Sequence, residues 1–380
     1  MEAELEERIN RRGVLQFRSA DHQHYYDFTG QPQTKKALSD FLVRHLTNGK
    51  PVPPEQLVVY NGATACLDCL AYGLTDEGEV IIVPTPVYGR IFTDCQERTH
   101  TDIQPLYLQP KDITGRERDF ELQAVDLENR IQELTSEGKV VRVFILVNPQ
   151  NPTGDIYPEA LLRDLLNVCA KYQMHAIIDE IYALSVLGGA EFTSVLALDD
   201  LPDPERTHFI WGMSKDFGLA GIRVGVIHSR NTQLLNYLGN GSAYQSTPSL
   251  IHDMVTSLLA DKDWCDNFFL PTSQQRLTRS YEFVVKQMNA AGIHIHQSKG
   301  GVFAWINISP FMKQQTKEEE FAVFEELLKA GVYMVPGSAM YCAVPGWIRI
   351  IFSVAEDELS TGLQRLFTVL DARRSNLPSQ

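Results

Sequence analysis

The sequence predicts an α/β protein, with a mostly parallel central sheet covered by helices on both faces and a smaller α+β domain after it. Three observations lead there. Short, continuous apolar runs recur between helical stretches through the first two thirds of the chain, as strands buried on both faces do. After about residue 260 the texture changes to long amphipathic helices around two apolar runs. The chain has 380 residues, 44% of them hydrophobic, enough for a large core and for two domains.

The elements follow in order. Met1–Arg12 is a charged helical pattern without the apolar stretch of a secretory signal. Gln56–Tyr60 is a short apolar run, followed by a helical stretch from Thr64 to about Gly73. Glu79–Pro84 and Val140–Val147 read as buried strands, the latter followed by a polar loop and a helix over Pro158–Tyr172. His175–Asp179, His208–Trp211 and Ile222–His228 are further short strands, and Leu201–Arg206, with two prolines and two acids, is a surface loop. Beyond residue 260 come an amphipathic helix over Thr272–Ala291 and apolar runs at Val302–Ile308 and Trp347–Phe352, which bracket a helix at Lys317–Lys329. A last helix covers Asp357–Arg373. The expected division is an N-terminal segment over 1–30, a large domain over 31–260 and a small domain over 261–380.

Composition narrows the function. The formal net charge is -14, and the lysines and arginines are scattered among acids, so nucleic acid and anionic membranes are poor partners. No apolar run approaches a membrane span. Six cysteines in 380 residues is ordinary usage for a reducing compartment, and a cytoplasmic location is expected. Cys66 and Cys69 form a lone C-x-x-C without a second pair at zinc spacing, and the ten histidines form no H-E-x-x-H, so no metal is expected.

Ligands of open α/β sheets bind beyond the carboxyl ends of the strands. Five such places carry informative residues. Asn61-Gly62-Ala63-Thr64 would set the N–H groups of Ala63 and Thr64, and the Thr64 hydroxyl, at a helix N-terminus, which is an anion site; the plainer reading is a helix cap. Pro84-Thr85-Pro86-Val87-Tyr88 would aim the Tyr88 ring at a flat ligand, or simply pack it at a loop edge. Asn148-Pro149-Gln150-Asn151-Pro152-Thr153-Gly154 is a rigid loop that can present Asn151, although N-P pairs are also common turn formers. Asp179, at the buried end of a strand, needs a cationic partner or serves as a helix cap. Lys215, in Ser214-Lys215-Asp216-Phe217-Gly218, follows a buried strand; partial burial would make it a usable amine nucleophile, against the alternative of a snorkelling surface lysine.

Asn151-Pro152-x-Gly154, Asp179-x-x-Tyr182 and Ser214-Lys215 with Arg223 resemble, in order and spacing, the fold-type I pyridoxal-5'-phosphate (PLP) aminotransferases, over nearly the whole chain. Pro84–Gly89, Ser214–Gly218, Gly300–Trp305 and Pro345-Gly346-Trp347-Ile348-Arg349 are most similar to 1-aminocyclopropane-1-carboxylate (ACC) synthases and ACC synthase-like proteins. The resemblance implies a PLP transferase fold and a homodimer, with residues 1–30 joining the small domain and the dimer interface. It implies that Lys215 is the Schiff-base lysine and moves the substrate proton, and that Asp179 partners the pyridine nitrogen. Asn151 and Tyr182 would bond the ring's phenolic oxygen, and Tyr88 would stack on the ring. Ala63, Thr64, Ser214 and Arg223 would hold the phosphate, and Arg349 the substrate α-carboxylate.

Three features depart from that pattern. Gly212 stands where the family has a phosphate-binding serine, and Asp27-Phe28-Thr29-Gly30 replaces a D-Y-x-G motif whose tyrosine reaches the neighbouring subunit's cofactor. A family N-terminal segment, carrying a small residue over the substrate, has no counterpart before Met1. Two function classes therefore stand: an aminotransferase or lyase acting on α-amino acids, with 2-oxo acids as possible co-substrates, or a PLP-binding protein of weak catalysis with a binding or regulatory role.

Overall fold

The computed structural model describes residues 1–11 and 13–375. Seven strands form the large sheet: β1 (Leu57–Tyr60), β2 (Val80–Thr85), β3 (Asp102–Tyr107), β4 (Val141–Val147), β5 (His175–Asp179), β6 (Thr207–Gly212) and β7 (Gly225–Ser229), in the order β1-β7-β6-β5-β4-β2-β3. The pairs from β3 through β6 are parallel; β7 alone runs against its neighbours β6 and β1. Successive residues of β4 feed opposite sides: Phe144 and Leu146 enter one core, Val143, Ile145 and Val147 the other. That two-sided burial is why the strand reads as an unbroken apolar run.

The smaller sheet is antiparallel, in the order β10-β11-β9-β8, from β8 (His294–Ile295), β9 (Phe303–Asn307), β10 (Val335–Pro336) and β11 (Trp347–Ile351). Its core takes Val284 and Met288 from the helix Leu270–Ala290, Val323 and Leu327 from Lys317–Lys329, and Leu363 and Leu366 from Glu356–Ser375. No helix among the described residues is long and apolar enough to cross a membrane.

Several elements lie outside the sequence reading. Edge strand β3 is D-I-Q-P-L-Y, buried at only two positions, and an edge tolerates its proline. The helix Ala124–Ser136 opens on a capping box made by Gln123 and Asp126 rather than the usual Ser or Thr with Glu. Helices Pro32–Leu46, Thr232–Gly241 and Ser249–Ala260 complete the covering of the large sheet.

The topology gathers one edge. Gly225, at the start of reversed β7, pairs with both Tyr60 at the end of β1 and Gly212 at the end of β6. Asp179, ending β5, pairs with Val147, ending β4. The start of β7 and the ends of four other strands therefore share a border. The small sheet is tied down beside it, because Lys299 N and Gly300 N both donate to Gly154 O, at 2.8 and 3.0 Å. Gly154 is required here: its φ is +72°, and a Cβ would sit 2.7 Å from the Gly300 carbonyl oxygen. Two imidazole–carboxylate pairs reinforce the join, His294 with Asp119 at 2.8 Å and His296 with Asp155 at 3.0 Å.

Candidate active site

Asp179 ends β5 with its carboxylate buried, and Oδ1 accepts from Ile181 N at 3.1 Å in a local turn rather than a helix cap. Burial pushes its pKa up to about 7, against the opposing pull of that bond and of Lys215. Tyr182 follows on the same segment, and burial raises its phenol far above the ordinary value. Asn151 is buried in the loop after β4; its Nδ2 donates to Tyr182 Oη at 3.2 Å, and its Oδ1 accepts from Arg349 Nη1 at 2.9 Å. Arg349 lies on β11 of the small sheet, its guanidinium 5.7 Å from the Phe303 ring centre, its Nε buried without a partner. Tyr182 meets the same ring edge-on at 5.2 Å. This chain of contacts joins the two sheets across the cleft.

Lys215 lies on the short helix Met213–Asp216 directly after β6 and is exposed. Its pKa is lowered, first by burial and then by the positive charges of Arg349 and Arg223, while Asp179 pulls the other way. A lysine held this way spends more of its time as the free amine. Tyr88, after β2, is 42% exposed and close enough to Tyr182 and Arg349 to act on both electrostatically.

A second group lies along the β1–β7–β6 border. Gly62 precedes the helix Ala63–Leu74 with φ +107°, and neither Asn61 nor Thr64 caps it. A Cβ on Gly62 would run into the Arg223 guanidinium, and one on Gly225 would lie 2.7 Å from Ala63 N, so backbone and guanidinium pack together only because both residues are glycine. Arg223 has φ +54° and donates to Ala220 O at 3.1 Å. The Thr64 hydroxyl is exposed and donates to Asp94 Oδ2 at 3.1 Å, and Arg90 holds the other oxygen of Asp94 at 2.8 Å. Ser214 is half-buried in the turn before Lys215. At Gly212 a side chain has no room: a Cβ would lie 2.6 Å from the Val224 carbonyl oxygen.

Hydrogen bonds and electrostatic contacts thus gather Asp179, Tyr182, Asn151, Arg349 and Tyr88 around Lys215, whereas Thr64 and Arg223 line a neighbouring surface pocket with Asp94, and Arg223 also acts on Lys215. Sequence reasoning gave no role to Phe303, the floor beneath Arg349 and Tyr182, although it lies in the Gly300–Trp305 motif, and it missed Asp94, which accepts a hydrogen bond from the Thr64 hydroxyl. Asp94 carries no motif signal, since it acts through a partner thirty positions away in sequence.

The family model for aminotransferase class I and II matches residues 5–366. The chain is 34% identical to "1-aminocyclopropane-1-carboxylate synthase-like protein 1" of Mus musculus over 351 residues, covering 92% of this chain and 70% of that protein. It is 32% identical to "Probable inactive 1-aminocyclopropane-1-carboxylate synthase-like protein 2" of Homo sapiens over 354 residues, 93% of this chain and 62% of that one. In fold it is similar to the aromatic aminotransferase from Pyrococcus horikoshii OT3, with a TM-score of 0.81 at 21% identity over 98% of this chain and 92% of that one. Enzymes of this family depend on PLP. On this match, which spans both sheets and the cleft between them, the chain belongs to the class I and II aminotransferase family.

Proposed function

We propose that this protein binds PLP covalently through Lys215 and acts on α-amino acids, as an aminotransferase or a carbon–carbon or carbon–sulfur lyase. The observation that carries the reading is Asp179: a buried carboxylate at a strand end, held by one local turn, its pKa raised by burial, and within electrostatic reach of a lysine whose pKa is lowered. A protonated pyridine nitrogen is the cation such a carboxylate lacks. The residues fit the group in other respects too. Tyr182 and Asn151 offer a hydroxyl and an amide to an oxygen on the ring, and Tyr88 offers a face. The N–H groups of Ala63 and Thr64, with Arg223 and Ser214, offer a cradle for a phosphate. The unpartnered Nε of Arg349 offers the second half of a bidentate grip on an α-carboxylate.

Once bound, the cofactor's ring supplies the electron sink that makes loss of a group at Cα feasible. Lys215 takes and returns the proton at Cα. Asp179 keeps its partner nitrogen charged. Arg349 orients the substrate, and its bond to Asn151 links the substrate-binding side to the ring-binding side. The same reading makes the protein a homodimer in a reducing, cytoplasmic compartment, for which six buried free cysteines give support. It divides the chain near residues 30 and 260; the small core takes Val284 and Met288 from the helix Leu270–Ala290, while Cys265, Phe269 and Leu270 pack into the large core.

A second reading, cofactor binding with weak catalysis, is favoured by Gly212, where the phosphate cradle has no side chain and no space for one. One experiment tests both. The purified protein with PLP is expected to show the visible absorbance of a lysine-bound cofactor, fixed by borohydride onto the peptide containing Lys215 and absent in Lys215→Ala. Amino acids from a panel are then expected to bleach it and release 2-oxo acid or ammonia. Unchanged absorbance in Lys215→Ala removes the cofactor assignment; a normal absorbance that no amino acid perturbs selects the second reading.

A further inference from the structure

The carboxylate of Asp216, next in sequence to Lys215, has no part in the roles above. It is 4% exposed and ends the helix Met213–Asp216. Its Oδ2 accepts from Trp211 Nε1 at 2.8 Å and from Leu184 N at 3.1 Å; its Oδ1 accepts from Ser185 Oγ at 2.7 Å. The donors come from two places. Trp211 belongs to β6, just ahead of the lysine turn, whereas Leu184 and Ser185 follow Tyr182 on the segment leaving β5. That segment is itself tied onward: Gln274 Nε2 donates to Leu184 O at 2.9 Å, and Gly301 N to Ser185 O at 2.8 Å. One buried side chain therefore joins the turn bearing Lys215 to the stretch bearing Asp179 and Tyr182 and, through it, to the small sheet. Buried donors left without an acceptor are costly, which makes the tie firm.

We infer that Asp216 is a positioning residue, fixing Lys215 against Asp179 and Tyr182, and that it acts through hydrogen-bond geometry rather than charge. The inference rests on the role proposed for Lys215. Geometry is favoured by the nature of the donors. Oδ2 faces two N–H groups that can only donate and Oδ1 a hydroxyl that can donate or accept, while the Ser185 N–H also acts on the carboxylate. An asparagine with its oxygen in the Oδ2 position and its amide nitrogen in the Oδ1 position keeps all three bonds, with Ser185 turned to accept. Burial also pushes the Asp216 carboxyl up to about 7 despite its donors, so a neutral side chain suits the site near neutral pH.

The test reads Lys215 directly. In the apoprotein, the pH dependence of its labelling by an amine-reactive reagent is followed by peptide mass spectrometry. In the PLP-loaded protein, the visible absorbance is titrated with pH. Asp216→Ala is expected to move the labelling midpoint toward that of an ordinary lysine and to shift the absorbance titration. Its kcat should fall on the order of 10- to 100-fold with a smaller change in KM, the cost of a misplaced reacting group. Asp216→Asn is expected to restore both midpoints. Trp211→Phe keeps an aromatic but smaller side chain in that buried position and removes one donor, so it should shift both midpoints by less, and it decides the matter if Asp216→Ala does not fold. Unmoved midpoints in Asp216→Ala and Trp211→Phe overturn the inference, as does an Asp216→Asn protein as displaced as Asp216→Ala. If wild-type protein takes no PLP at Lys215, the proposed function falls, whatever the labelling midpoints show. If it does take PLP and no variant moves them, only the role of Asp216 falls.

Discussion

The two sides of Lys215 are built by opposite means. Toward Asp179, Tyr182 and Asn151 the wall is made of buried side chains, linked to each other and, through Arg349, to the small sheet. Toward Gly62, Thr64 and Arg223 it is made of backbone, of glycines that admit a guanidinium, and of side chains open to solvent. Removing a buried charged partner is far costlier than removing an exposed one, because solvent stands in for the latter. The first wall should therefore depend on residue identity and the second on shape.

The sharpest break is expected at Asp179. Asp179→Ala takes away the partner of a buried cation, a loss of roughly 3–5 kcal/mol, or on the order of 10²- to several 10³-fold in cofactor affinity or turnover. Equilibrium dialysis of PLP and single-turnover kinetics check it; an effect under tenfold would undo the contrast between the walls. The same carboxylate predicts a pH signature. Its folded pKa lies above its unfolded value, so the folded apoprotein binds the extra proton and loses stability as pH rises from about 4 to about 7. A bound cation removes that penalty. The Tm gained on adding PLP should thus grow between pH 5.5 and 8, and should grow less in Asp179→Asn.

Arg349→Ala should come next. Losing a charge-assisted bond costs roughly 1.5–3 kcal/mol, or about 10- to 100-fold in amino-acid affinity, with the absorbance of the bound cofactor little changed. Spectral titration with amino acid measures both, and equal affinities would remove the carboxylate role. On the second wall, Gly212→Ser restores the residue type usual in the resembling family. Because its Cβ would press on the Val224 carbonyl, it is expected to lower stability by about 1–3 kcal/mol without tightening PLP binding; tighter binding at unchanged Tm would show the wall to be soft. The smallest effect is expected for Thr64→Ala. Its hydroxyl already donates a hydrogen bond to Asp94, so PLP affinity should fall by no more than about 0.5–1.5 kcal/mol, measured by the same dialysis.

The same contrast explains what could be read in the sequence. Strands buried on both faces announce themselves as apolar runs, and the turns after them display Asn151, Asp179 and Lys215 in motif order. Edge strand β3 and two-residue β8 and β10 give no such signal, because only two of β3's six residues are buried and the others are too short to have a pattern. Reading a site residue by residue also assumes that each group is free to act. That assumption fails at Thr64, whose hydroxyl already donates to Asp94 thirty positions away, and at Gly212, where the Val224 carbonyl fills the space. Asp216 lies beside the most legible residue of all, yet its importance depends on Leu184 and Ser185, which only the fold brings to it.

The reversal of β7 has a consequence for how this site comes into being. Parallel neighbours must be joined by a crossover that leaves the sheet edge and returns, as residues 180–206 do between β5 and β6. Between β6 and β7 the chain needs no crossover, and residues 213–224 stay at the border, carrying Lys215 and Arg223 on one connection. The amine and the Arg223 guanidinium therefore belong to a single antiparallel connection, so their separation along the chain is short, while Asp179 and Asn151 reach the same border from strands joined by long crossovers.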